Sequence, residues 1–279
     1  MVETPKEYDT LPAGRGMGWL THSLQLLGRD ISRLLLLGLL LQLLAGMTQI
    51  GALAILFVLL VPALSAGMLQ ALHSADAGLR PSPAMLFVAF SRPDRLLRLV
   101  FLGGLMLATA MAAVMAVVSG ALTGLDAETM AKLEQGDVEA LLMMNPELLE
   151  RLMIALLMGL VVSGTLSFFA VPLIWFRNMP LRRAIWLGLT GMMRNWKPLL
   201  VLGLFLGVLA VPAAVLSALV LGLNATGQGG SPLLTIVMLF VAVAYQLLLF
   251  ASQYVAFRDI FRLGHPRPGS SEGSDQLVA

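Results

Sequence analysis

The feature that most constrains the fold is a set of four long stretches without a single Asp, Glu, Lys or Arg. They cover residues 34–75, 99–125, 152–176 and 198–257, which are 42, 27, 25 and 60 residues long. An α-helix needs about 20 apolar residues to cross a hydrocarbon core of about 30 Å. The two shorter stretches therefore each predict one membrane-spanning helix, whereas the two longer ones must each fold back as a pair of helices.

Composition and turn signals agree with this interpretation. The chain is 58% hydrophobic and 12% charged, whereas soluble domains carry about 25% charged residues. Glycine-containing turns at 45–51 and 223–232 divide the two long stretches. The sequence thus predicts an all-α, polytopic membrane helix bundle with six transmembrane helices. We expect these near residues 32–47, 50–73, 97–122, 150–176, 198–222 and 232–256.

The distribution of Lys and Arg predicts the orientation of the bundle. If the N-terminus is cytoplasmic, 16 of the 18 basic residues lie on the cytoplasmic side, and Lys132 and Arg151 alone lie outside. Cytoplasmic segments of membrane proteins are enriched in Lys and Arg. We therefore expect both termini in the cytoplasm and the protein in a bacterial cytoplasmic (inner) membrane.

Outside the spans, the sequence predicts two tails, one outer segment and three interfacial helices. Residues 1–16 are expected to form a disordered N-terminus, 17–262 the transmembrane domain and 263–279 a disordered tail. Acidic residues and leucines in 124–149 indicate two short amphipathic helices outside the membrane. Their acidic side is either a solvated surface or, alternatively, a docking face for a cationic partner. Amphipathic patterns at 17–30, 82–92 and 180–194 predict cytoplasmic helices lying in the membrane interface.

The sequence contains no recognisable catalytic or metal-binding constellation. There is no cysteine, and the spans contain no Asp, Glu, Lys or Arg. His73 has no second histidine in its own segment, and Ser163 and Ser167 have no histidine or lysine on any span to activate them. We therefore expect no enzymatic activity, no cofactor and no metal.

A cluster of charged and aromatic residues at the inner ends of the last spans predicts a lipid- or partner-binding surface. Its members are Arg182, Arg183, Arg194, Asn195, Trp196, Tyr254, Arg258 and Asp259. Trp175 and Trp196 are expected at the lipid–water boundary, where aromatic belts form. We also expect Asp259 to pair with Arg194 or Arg258.

Two short motifs carry a resemblance to a known family. With "RNW" at 194–196, "YVAFRDIF" at 254–261 and Pro172 in the fourth span, residues 15–262 resemble the YciC-like, glycerophosphodiester-phosphodiesterase membrane-domain-like proteins of bacterial inner membranes. The resemblance implies an inner-membrane location and no established activity. It lends no catalytic residues, because the soluble phosphodiesterase domain is absent here.

Two functions remain open from the sequence. The first is a non-enzymatic inner-membrane protein that binds anionic lipids of the inner leaflet, a membrane-protein partner or a second copy of itself, and no nucleic acid. The alternative is a small permease or transporter subunit, for which the uncharged spans favour an apolar or zwitterionic substrate.

Overall fold

The computed structural model describes residues 7–46, 51–122, 146–225 and 232–263, and these ranges are helical apart from short connections. They contain eight α-helices and one 3₁₀ helix. In chain order these are α1 (Arg15–Arg29), α2 (Ile31–Gly46), α3 (Gly51–Asp76), the 3₁₀ helix (Pro83–Ser91), α4 (Pro93–Leu122), α5 (Pro146–Arg177), α6 (Leu181–Arg194), α7 (Trp196–Ala225) and α8 (Pro232–Ile260). Most of the predicted outer segment 124–149 and of the tail 263–279 lies outside the described residues.

Five of these helices, α3, α4, α5, α7 and α8, are long and apolar enough to cross a membrane. The helix predicted as the first span, α2, is also apolar but has only 16 residues. At 1.5 Å per residue it extends about 24 Å, less than a hydrocarbon core of about 30 Å. The chain is therefore an all-helical, multi-pass membrane protein with five candidate spans in its described part.

Prolines and a left-handed residue set several helix boundaries. Pro83, Pro93 and Pro232 each occupy the first position of a helix. A missing N–H is tolerated there, because the first N–H groups of a helix have no partner within it. Helix α5 is followed by Asn178, whose φ of 51° is the left-handed conformation that ends many helices.

The buried core lies in one half of the bundle. We call this half the polar end: it contains the ends of α3, α5 and α8 and the starts of α4 and α7. In α8, every residue from Ala251 to Phe257 is buried, whereas residues 232–240 contain no buried side chain. The far half of the bundle thus exposes apolar side chains such as Val215 and Leu233, which fits spans whose solvent is lipid.

Three short helices pack against the spans at the polar end. They lie in the ranges for which the sequence predicted interfacial helices, and residues 83–91 form a 3₁₀ helix. Gly16 of α1 lies against the carbonyl of Pro198, Gly67 of α3 lies against the backbone of Leu86 in the 3₁₀ helix, and Gly188 of α6 lies against α5. In α1 and α6, the buried side chains face the bundle. Glycine permits these backbones to approach closely because it has no Cβ.

The N-terminal segment, which we define as residues 7–14, was expected to belong to a disordered tail and is instead bound to the bundle. The backbone N–H of Asp9 donates a hydrogen bond of 2.8 Å to the carbonyl of Ile260. The side chains of Tyr8 and Leu11 pack against the core. The segment therefore lies beside the end of α8.

Candidate functional site

Ion pairs define the polar end. Each of the six acidic residues that the structure describes there pairs with an arginine, and four of these pairs join parts of the chain that are distant in sequence. The pairs are Glu7–Arg183, Asp9–Arg262, Asp30–Arg33, Asp76–Arg258, Asp94–Arg98 and Asp259–Arg15. Since these carboxylates are bound to particular arginines, the remaining cations of the polar end stay available for other contacts.

The most connected of these acids is Asp76, the last residue of α3. It pairs with Arg258 of α8, and its Oδ1 lies 3.2 Å from Nη1 of Arg29 in α1. The same Arg29 nitrogen donates to the carbonyl oxygen of Asp76 at 2.8 Å. The hydroxyl of Tyr254 donates to Asp76 Oδ2 at 3.1 Å. Together with His73, these residues form the Asp76 cluster, which connects α1, α3 and α8.

The hydrogen bonds of the Asp76 cluster assign the tautomer of His73. Nδ1 of His73 lies 2.9 Å from the hydroxyl oxygen of Tyr254. Because Tyr254 gives its one hydroxyl proton to Asp76, its oxygen accepts the bond, so that His73 Nδ1 carries the proton. The Nδ1–H group of the imidazole is thus bonded to the tyrosine hydroxyl. In the ranges that the structure describes, no three of His, Asp and Glu lie close enough together to hold a metal ion.

The predicted pairing of Asp259 with Arg194 or Arg258 is wrong. Asp259 binds Arg15 of α1, with Nε at 2.6 Å and Nη2 at 3.0 Å, and accepts the indole N–H of Trp19 at 2.8 Å. These hydrogen bonds and the charge of Asp259 raise the pKa of the Arg15 guanidinium. Adjacent residues on a helix point about 100° apart, so Arg258 faces α3 while Asp259 faces α1.

Trp175 is buried, so its predicted place in an interfacial aromatic belt is also wrong. Its indole N–H donates to Gln70 Oε1 at 2.9 Å. The guanidinium of Arg95 lies 5.3 Å above the ring, and its Nη1 donates to the carbonyl of Trp175 at 2.7 Å. Trp175 therefore connects α5 to α3 and α4 inside the bundle.

Asn195 fixes the N-terminal segment to the junction of α6 and α7. Its side chain is fully buried. Oδ1 accepts the backbone N–H of Leu11 at 2.8 Å, and Nδ2 donates to the carbonyls of Asp9 at 2.8 Å and Gly191 at 3.0 Å. The amide thus caps the end of α6 and pairs with the N-terminal segment as a neighbouring strand would.

Replacement of Asn195 by alanine should release the N-terminal segment. It removes two hydrogen bonds to that segment, each contributing about 0.5–1.5 kcal/mol. The native chain has no cysteine, so a single Leu11→Cys substitution gives an unambiguous probe. We expect maleimide to label the introduced thiol about tenfold faster when Asn195→Ala is added, which corresponds to about 1.4 kcal/mol.

The exposed neighbour Thr10 supplies the control for this experiment. A Thr10→Cys probe should react at the same rate with and without Asn195→Ala. Unchanged labelling of the Leu11→Cys probe would show that Asn195 does not hold the segment.

Several cations of the polar end have no hydrogen bond or ion pair through their side chains to any described residue. They are Arg80, Arg92, Arg182 and Arg194. Lys197 lies 5.9 Å above the ring of Trp196.

The predicted lipid- or partner-binding surface therefore divides in two. Arg183, Asn195, Tyr254, Arg258 and Asp259 hold the fold together, whereas Arg182, Arg194 and Trp196 are exposed.

The exposed cations continue into an exposed apolar stripe on α6. Trp186 and Met193 are each 75% exposed. At 3.6 residues per turn, they and Arg182 fall within a sector of about 40° on the helix. Helix α6 buries its opposite side, including Ala184 and Gly191, against the bundle. We call Arg182, Trp186, Met193, Arg194 and Trp196 the α6 surface.

Sequence reasoning missed Trp186 and the Asp76 cluster. The amphipathic pattern predicted for 180–194 did not single out Trp186, which is exposed. A usable signal was the scarcity of acids among the many arginines of the polar end. Each such acid marks a structural ion pair.

Comparisons with known proteins add no relative: no family model, no curated protein and no solved structure matches the chain.

Proposed function

We propose that this protein is a non-enzymatic, six-span protein of a bacterial inner membrane that binds anionic lipids of the cytoplasmic leaflet through the α6 surface. One observation carries the proposal: the α6 surface exposes two arginines without partners in the described chain next to two exposed tryptophans. Arginine attracts phosphate groups, and tryptophan prefers the depth of the lipid headgroups.

The position of the chain ends supports six spans. The N-terminal segment is bonded to Ile260 at the end of α8, which supports chain ends on the same side of the membrane and hence an even number of crossings. We assign the sixth crossing to α2, which is apolar but shorter than the other five. Helix α2 starts next to Asp30 at the polar end, and α3 returns to that end at Asp76.

The positive charge of the polar end supports a cytoplasmic orientation. After six acids are paired with arginines, exposed guanidiniums remain on α6 and beside the 3₁₀ helix. Each Lys or Arg close to an anionic leaflet contributes about 1 kcal/mol of attraction. This attraction favours an arrangement with both termini inside.

The test replaces Arg182 and Arg194 by glutamine in nanodiscs that contain equal parts of phosphatidylglycerol and phosphatidylcholine. Because each arginine contributes about 1 kcal/mol, we expect the double variant to bind phosphatidylglycerol about 25-fold more weakly. The measurement is the fraction of motionally restricted, spin-labelled phosphatidylglycerol. A melting temperature equal to that of the native protein shows that the variant remains folded.

A variant with lysine at both positions is the matched control, since it keeps the charge and changes the side-chain shape. It should retain the preference for phosphatidylglycerol. If the glutamine pair binds phosphatidylglycerol as the native protein does, the α6 surface does not recognise anionic lipid, and a protein partner becomes the better hypothesis for it.

A further inference from the structure

A second lipid-facing feature lies away from the α6 surface, between α2, α3 and the 3₁₀ helix. It is an apolar groove lined by Leu44 of α2, by leucines and a phenylalanine of α3 from Leu53 to Leu64, and by Phe87 and Phe90 of the 3₁₀ helix. The groove is open on one side, and its space together with the adjoining open volume amounts to about 470 Å³. We call it the lateral groove.

The dimensions of the lateral groove match one lipid chain. From Leu53 to Leu64 the α3 wall rises about 16 Å, at 1.5 Å per residue. That is about half of a hydrocarbon core of about 30 Å, the depth of a single leaflet. Leu56, Phe87 and Phe90 are 52%, 42% and 44% exposed, so the described elements leave the groove open to the surrounding lipid.

The 3₁₀ helix closes the groove on the side of the polar end. Its Leu86 lies against Gly67, which is nine residues from the end of α3 at Asp76. The rings of Phe87 and Phe90 lie 6.2 Å apart and follow directly on this contact. The groove therefore runs from the region of the polar end into the apolar half of the bundle.

The residue that directly follows the 3₁₀ helix in the chain is an arginine without a side-chain partner among the described residues. Arg92 follows the 3₁₀ helix, two residues after Phe90, and its backbone N–H caps the helix by donating to Ala89. The Arg92 side chain is exposed and is bonded to no described residue. The neighbouring acid, Asp94, is paired with Arg98. The guanidinium of Arg92 is therefore free to take an anion such as a phosphodiester, whose oxygens its planar fork fits.

We propose that the lateral groove holds one acyl chain of an anionic phospholipid, with the phosphate bound by Arg92. The inference deepens the proposed lipid binding and rests on the same membrane location, but it concerns a separate site with a different basis of recognition. The α6 surface recognises headgroup charge at the interface, whereas the lateral groove requires an acyl chain and a charge together. A lipid held in this way would leave the protein more slowly than the surrounding lipid does.

The test is mass spectrometry of the intact protein released from nanodiscs of phosphatidylglycerol or of phosphatidylcholine. We expect one phosphatidylglycerol to stay on the native protein. Leu60→Trp, which fills the middle of the groove, should abolish its retention. Arg92→Gln should lower retention about fivefold through the lost charge.

Matched controls are available for both changes. Leu204→Trp places the same ring on a lipid-exposed position of α7 that is 66% exposed, and Arg80→Gln removes the unpartnered arginine on the other side of the 3₁₀ helix. Both should keep the lipid. Leu56→Trp, deeper in the groove, serves as the filling variant if Leu60→Trp lowers the melting temperature of the protein.

Each result decides between the two lipid sites. Retention of the lipid by a folded groove-filled variant overturns the proposal. Equal retention of phosphatidylcholine by the native protein overturns the preference for an anionic phospholipid, and unchanged retention in Arg92→Gln overturns the role given to Arg92. The Arg182→Gln, Arg194→Gln double variant separates the two sites. If it still retains one phosphatidylglycerol but no longer prefers phosphatidylglycerol among the surrounding lipids, the lateral groove stands and the α6 surface has its separate role. If that variant loses the retained lipid while Leu60→Trp keeps it, the site is the α6 surface and the lateral groove is refuted.

Discussion

Replacement of Asp76 by alanine is expected to lower the free energy of unfolding by about 2–3 kcal/mol, the largest loss from any charged residue of the polar end. The substitution leaves the guanidiniums of Arg258 and Arg29 without their carboxylate. Removing one partner of a fully buried ion pair costs about 3–5 kcal/mol. We expect less here, because 18% of the Asp76 side chain and 33% of the Arg258 side chain remain exposed.

The measurement is an unfolding titration with sodium dodecyl sulfate in mixed micelles, followed by tryptophan fluorescence. Trp19 and Trp175 are buried near the polar end and should report the loss of packing there. Asp94→Ala is the control, since Asp94 is 52% exposed and lies 4.0 Å from its partner Arg98. Exposed pairs of this kind contribute about 0–1 kcal/mol. Equal losses in the two variants would mean that Asp76 contributes no more than an exposed surface pair.

A double variant separates the ion pair from general damage to the fold. If Asp76 and Arg258 stabilise each other, Asp76→Ala together with Arg258→Ala should cost clearly less than the sum of the two single losses. The double variant removes the unpaired charge as well as the bond. Additive losses would show that the two side chains act independently.

The membrane helices could be predicted from the sequence because lipid excludes charge from them. Their ends were less predictable. The third span was expected to begin near residue 97, but α4 begins at Pro93 and includes Asp94 and Arg95 in its first turn. In the structure Arg95 remains helical, because its guanidinium reaches the carbonyl of Trp175 and stacks on that ring.

The partners of the charged residues could not be predicted, because they depend on how distant helices meet. Arg258 and Asp259 are adjacent, yet one binds α3 and the other α1. The N-terminal segment offered no periodic pattern, and its place is set by buried Asn195, whose partners lie more than 180 residues away. Residue type alone identified Asn195 and Tyr254 as members of the polar end, but not that both are buried.

Helix packing depends on close backbone contacts that residue types alone do not reveal. In α4 two adjacent glycines occupy different environments. A Cβ at Gly103 would lie 2.9 Å from both the carbonyl carbon and the Cα of Leu59 in α3, and nearer still to its carbonyl oxygen. A Cβ at Gly104 would meet only the Cδ2 of Leu59, at 3.8 Å, an ordinary contact. Backbone atoms cannot move aside as a side chain can, so the two positions should respond differently.

We expect Gly103→Ala to lower the free energy of unfolding by about 1–3 kcal/mol, since the added methyl group must separate α3 from α4. Gly104→Ala should change stability by less than about 1 kcal/mol, and in the favourable direction, because alanine is the better helix former. That intrinsic preference is the same at both positions, so the difference between the variants isolates the contact with Leu59. The same detergent titration measures both. Equal stabilities would mean that α3 and α4 are not packed at Gly103, and the close approach of these two helices would have to be abandoned.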